Sequence, residues 1–166
     1  AISDYTQVLS LDHNYWLAYN NRGITYASPG EFKMALNDFN KVIELNEDYA
    51  TAYFNRGLLY QSGFQQLGLQ ELDGISMAIN EYGKSIRLDP DYVKALSNRG
   101  MLYATLENYD LAIGDLSRVI ALNPDLADAY YTRGLTYKMQ GDETRSELDF
   151  QMAIQLDSSY KDRIQN

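Results

Sequence analysis

"YFNRGLLY", residues 53–60, holds a triplet that returns along the chain: Asn21-Arg22-Gly23, Asn55-Arg56-Gly57, Asn98-Arg99-Gly100 and Thr132-Arg133-Gly134. From glycine to glycine, the first and last steps are equal and the middle one is longer by nine. A second landmark keeps step with them. Ala35, Ala112 and Ser146 each follow their glycine at one fixed spacing, whereas Ala78 follows Gly57 nine positions later than that spacing, which places a nine-residue insertion inside one repeat. Similar text recurs around these landmarks, as "FKMALNDFNKVIELNED", "ISMAINEYGKSIRLDPD" and "YDLAIGDLSRVIALNPD", and "AISDYTQVLSLDHN" opens the chain. Two apolar-periodic segments in each unit are the pattern of a helical repeat array, whose units bury their apolar faces against their neighbours.

The glycines fall inside helical text, where glycine costs about 1 kcal/mol against alanine. Close approach of a second helix is the need that only a missing side chain meets. Tyr26, Tyr60, Tyr103 and Tyr137, three residues further on, are placed to fill the space beside that contact. Turns around Pro90 and Pro124, each proline followed by Asp, stop one helix and start the next.

Each unit resembles a tetratricopeptide repeat. It has a large residue four before the glycine (Tyr19, Tyr53, Leu96, Tyr130), the tyrosine three after it, the small landmark residue, and a large residue four beyond that (Phe39, Tyr82, Leu116, Phe150). The resemblance implies an all-α, right-handed α-solenoid of antiparallel helix pairs running through 1–166 as one domain. It would comprise a half unit at 1–13, four units at about 14–47, 48–90 (carrying the insertion near 63–74), 91–124 and 125–158, and a C-terminal stub at 159–166. Glu47 and Ser158 replace the closing proline, and Glu143 and Ser146 weaken the last unit's second helix. The chain starts in mid-unit without an initiator Met and is read as a fragment or processed product. Its uncapped ends offer a route to a homo-oligomer.

Composition limits the chemistry. A hydrophobic content of 45% with 13% aromatics supports a real core, and 14 basic against 23 acidic side chains give a net charge of -9, which disfavours nucleic acid and anionic membrane surfaces as partners. The absence of cysteine removes disulfides, thiol catalysis and cysteine zinc sites and leaves the compartment open. No uninterrupted apolar run reaches membrane-spanning length, and the first residues lack the basic start and apolar core of a signal peptide. One histidine, His13, supplies neither a metal cluster nor a histidine-based triad, and the glycines follow the repeat and not a phosphate loop. The expectation is a protein that is not an enzyme, with no cofactor, no metal and no catalytic residue.

An acid precedes each triplet arginine at one constant spacing: Asp4 before Arg22, Asp38 before Arg56, Glu81 before Arg99 and Asp115 before Arg133. This spacing predicts a charge strut from each first helix to the second helix of the preceding unit, with an anion-binding arginine ladder as the alternative. The residues six, three and two before the glycine, and one, four and five after it, fall on the helix side opposite the glycine. In the family's architecture that side lines a concave groove. Asn21, Asn55 and Asn98 then resemble the asparagine ladders with which some family members hold peptide backbone, the alternative being amides bonded within their own helices.

The same stripe adds Phe54, Leu58, Met101, Tyr131 and Leu135 as an apolar strip, or as residues half-buried between units. Of the basic clamp of co-chaperone repeat domains, which would fall at Asn20, Ile24, Lys94 and Asn98, only Lys94 matches. The insertion carries Phe64, Leu67, Leu69 and Leu72 and is expected to form an extra turn packed on its own unit, with a partner-contacting flap as the alternative. These readings point to a scaffold that binds an extended, partly apolar peptide or partner segment. The rival functions are a self-associating structural array and a regulatory arm of a larger enzyme or secretion assembly.

Overall fold

The computed structural model describes residues 1–165, and over them the chain is all-α. Its helices are α1 (Ile2–Leu11), α2 (Trp16–Ala27), α3 (Phe32–Leu45), α4 (Ala50–Gly63), α5 (Glu71–Leu88), α6 (Val93–Thr105), α7 (Tyr109–Leu122), α8 (Ala127–Gln140), α9 (Glu143–Leu156) and α10 (Tyr160–Gln165). The final residue of the stub, Asn166, lies outside the described residues. The helices form two compact units divided after Pro90. In the first, α2 pairs with α3 and α4 with α5, and α1 packs on α2; in the second, α6 pairs with α7 and α8 with α9, and α10 packs on α9.

Each pair closes on its glycine. A β-carbon at Gly23 would stand 2.8 Å from the Phe39 ring, one at Gly57 2.7 Å from the Tyr82 ring, and one at Gly134 2.8 Å from the Phe150 ring. At Gly100 the facing residue is Leu116, and its Cγ would be 3.2 Å away. The landmark residues Ala35, Ala78, Ala112 and Ser146 are buried one turn before these large side chains. The constant spacing from glycine to landmark is therefore the distance along the chain from a missing side chain to the helix that fills its place.

The charge struts run in a different register from the predicted one. Arg22 donates to both carboxylate oxygens of Asp38 at 2.7–2.8 Å, and Arg99 does the same to Asp115 and Arg133 to Asp149. Arg56 grips a single oxygen of Glu81. Each arginine thus pairs with the second helix of its own unit. The residue before the glycine meets the residue before the large side chain that packs on that glycine, so one helix contact fixes both. Asp4 is 81% exposed at its side chain and pairs with the amino terminus.

A link to the preceding second helix does exist, but it is neutral at its far end. The other guanidinium nitrogen donates from Arg22 to Thr6, from Arg56 to Asn40 and from Arg133 to Ser117. Tyr19, Tyr26, Tyr53, Tyr103, Tyr130 and Tyr137 lie 5.5–5.9 Å from these guanidiniums, so one or two tyrosine rings flank each strut arginine.

The insertion resolves into its parts. Against the first pair, α4 is two residues longer than α2, the connection three residues longer, and α5 four residues longer than α3. Phe64 seats on Gly74, where a β-carbon would be 2.6 Å from its own Cβ. Leu67 and Leu69 are half-buried beside Leu36, Tyr60 and Met77, and Leu72 is exposed. The extra turn is therefore packed on its own pair and on α3. In the last unit α9 is as long as α3 and α7 despite Glu143 and Ser146, because Asp142 caps it by accepting the Arg145 N–H at 2.9 Å.

Candidate functional site

Because each glycine turns toward the partner helix, the residues immediately after it turn away. Ile24, Leu58, Met101 and Leu135 are 36–47% exposed. In the first unit, Ile24 and Ala27 of α2 face Asn55, Leu58, Leu59 and Ser62 of α4 across a hollow of about 350 Å³, floored by Phe32 and Phe39. In the second unit, Met101 and Ala104 of α6 face Thr132, Leu135, Thr136 and Met139 of α8 across a hollow of about 320 Å³, joined by Asp128, Tyr131 and Arg163. The two hollows use the same register: one and four after the glycine on one helix, and two before, one, two and five after it on the next.

The sequence-predicted residues distribute unevenly over these surfaces. Asn55 and Leu58 line the first hollow, and Met101, Tyr131 and Leu135 the second. Asn21 is exposed on α2, Lys94 is exposed at the start of α6, and Asn98 is half-buried in α6. Phe54 is a correction. It is buried, with its ring centroid 5.8 Å from that of Tyr82, because the residue three before the glycine lies at the edge of the outward stripe and turns into the pair's own core. Tyr131, in the same register, is half-buried against Phe150 and Tyr160 and reaches the hollow with only part of its ring.

The amides of the first unit are linked through Asn20, which the sequence marks only as an unmatched position of the basic clamp. Asn20 is buried; its Oδ1 accepts from Asn55 Nδ2 at 3.0 Å, and its Nδ2 donates to Asn21 Oδ1 at 3.3 Å. Asn55 is thereby oriented by the protein, with one amide hydrogen committed and the rest of the group facing the hollow. The only sequence signal for Asn20 is polar: it sits three before the glycine, where the other units have Phe54, Ser97 and Tyr131. In the second unit the unforeseen members are Asp128 and Arg163. Tyr160 holds α10 in place by donating its hydroxyl to Asp128 at 2.9 Å, and burial together with that bond pushes the hydroxyl above its ordinary pKa.

Glycine-locked helix pairs, repeated in register and bearing partly exposed aliphatic residues on the opposite side, define a helical repeat protein. The chain belongs to the tetratricopeptide repeat family: the family description "TPR repeat" matches residues 25–63 and 102–141, and "Tetratricopeptide repeat" matches residues 127–160. Comparison with curated proteins gave no match.

Among solved structures, the chain is similar to the MamA protein, at 25% identity over 98% of this chain and 84% of that one, with a TM-score of 0.78. It is also similar to YrrB, described as a TPR protein with an unusual peptide-binding site, at 21% identity over 97% and 96% of the two chains and a TM-score of 0.54. A third is the first TPR domain of Spaghetti (RPAP3) bound to the HSP90 peptide SRMEEVD, at 21% identity over 76% and 93% and a TM-score of 0.65. Among the described residues, no helix is long and apolar enough to cross a membrane.

Proposed function

We propose that this chain is a protein-interaction module that takes an extended, partly apolar polypeptide on the side of its first helices turned away from the glycines. The observation that carries this reading is the recurrence of one hollow, in one register, in both units. Leu58 and Ile24 offer an apolar seat in the first, and Met101, Leu135 and Met139 in the second. Asn55 supplies an amide suited to peptide backbone, while Thr132 at the matching position, its proton given to the Asp128 carbonyl, offers an acceptor alone. YrrB and RPAP3, which share the fold, have peptide sites by their descriptions, so the architecture is compatible with this use. No catalysis and no cofactor is assigned to it.

The test is selection of a binder from a displayed library of random dodecapeptides, followed by titration against Leu58→Lys and Leu135→Lys. Each variant places a charge in one hollow and leaves the glycine contacts untouched. One of the two is expected to weaken the selected peptide about tenfold or more, the equivalent of ~1.4 kcal/mol, with an unchanged thermal melt. Unaltered affinity in both variants refutes the reading.

A further inference from the structure

The second unit's hollow differs from its counterpart in having a cation at its margin. Arg163, on α10, lines it with its guanidinium 4.5 Å from the Tyr131 ring centroid and 4.7 Å from that of Tyr160. Contact with two rings confines the planar group and leaves its N–H edge as the direction in which it can donate. The strut arginines Arg22, Arg56, Arg99 and Arg133 each spend that edge on a buried carboxylate at 2.6–2.8 Å. Arg163 spends part of that edge on the Tyr160 hydroxyl and its charge favours the Asp157 carboxylate, but none of the buried struts includes it. Asp128 borders the same hollow, and its Oδ1 accepts the Tyr160 hydroxyl. Beside the cation stand Met101, Leu135 and Met139, all exposed.

We propose that this hollow selects a peptide bearing a single carboxylate next to an apolar side chain: the side chain sits among Met101, Leu135 and Met139, and the carboxylate receives the edge of Arg163. This rests on the reading of the hollow as a binding surface. The acid is single because one guanidinium lines the hollow, while Asp128 beside it and the chain's net charge of -9 oppose a second. Charge-assisted bonds from a planar guanidinium are the strong class, and this one is held in place before the ligand arrives.

Methionine methyl groups report on the site directly. Of the five methionines, Met101 and Met139 line the hollow, while Met34, Met77 and Met152 lie elsewhere. Protein labelled with carbon-13 at these methyls is titrated with acetyl-Ala-Leu-Leu-Glu-amide and with its uncharged isostere acetyl-Ala-Leu-Leu-Gln-amide. The expected result is movement of the Met101 and Met139 signals, with the Glu peptide acting at a concentration about fivefold lower than the Gln peptide. Arg163→Gln should erase the difference and leave the Gln peptide's titration as it was. Arg163→Lys, which keeps the charge without the planar stack, should retain part of it and guards against loosening of α10 as the cause. Equal titration by the two peptides on the wild-type chain overturns the carboxylate preference and leaves the apolar seat standing. Failure of both peptides to move Met101 and Met139 overturns the preference and the binding surface together. A preference that survives both substitutions removes Arg163 from the account.

Discussion

Replacing Gly57 with alanine sets two opposed effects against each other in one residue. Alanine is the better helix former by about 1 kcal/mol. The added methyl, however, would stand 2.7 Å from Tyr82 Cε1 and 2.9 Å from Cδ1. That ring cannot swing aside: it is fully buried, it contacts Phe54, and its hydroxyl donates to Gln61. Forcing extra volume into such a place costs about 1–3 kcal/mol, and here the upper half of that range applies, because the clash is with an anchored ring. The net expectation is a loss of ~1–2 kcal/mol.

Gly100→Ala is the internal control. Its methyl would be 3.2 Å from Leu116 Cγ and 3.4 Å from the Ala112 carbonyl oxygen, a crowding that a leucine relieves by a few tenths of an ångström, so the propensity gain and the strain nearly cancel. Urea unfolding followed by far-ultraviolet circular dichroism compares the two variants. A stability gap of about 1–2 kcal/mol, with Gly57→Ala the weaker, is the expected outcome. Equal losses, or a stabilised Gly57→Ala, refute the account of the glycine as a seat for the facing ring.

Three further substitutions probe other contacts. Asp38→Ala strands the Arg22 guanidinium beside a buried site and should cost about 3 kcal/mol, whereas Asp4→Ala should change stability by less than ~0.5 kcal/mol; denaturant midpoints decide between the two registers. Ser85 is fully buried and its hydroxyl has no hydrogen-bond partner among the described residues, so Ser85→Ala should raise stability by about 1 kcal/mol, seen as a higher melting temperature. Glu107 has φ 58° at the hairpin turn where the first and last of the four repeats place Gly30 and Gly141, both at φ 88°, so Glu107→Gly should be neutral or stabilising by up to about 1 kcal/mol. A destabilised Glu107→Gly would contradict this.

The glycines and the large residues of the second helices were legible because each answers one steric demand that few residue types can meet. The struts were misread for a definite reason. An acid recurs both before and after every arginine, and the constant spacing to the preceding one reflects only that the insertion does not fall between them. Contact follows the helix pair, and Arg56 still reaches Glu81 despite the added chain, because that chain lies beyond the contact, at the hairpin tip. Phe54 was misplaced because it borders the outward stripe, and a small rotation of the helix decides which side it takes. Asn20 reads only as an unmatched clamp position, because nothing in the sequence marks its burial, and Arg163 escaped notice because it lies in the short helix α10, outside the repeating text.

The nine added residues have a practical corollary. Lengthening the free connection from four residues to seven raises its closure entropy by only about 0.5 kcal/mol, and the interlocking of Gly57 with Tyr82 is untouched. The end of that hairpin, at Gln65 and Gln66, is exposed. It is therefore a natural port for grafting a fluorophore tag or a foreign epitope, one that the stacked helices would carry without being disturbed.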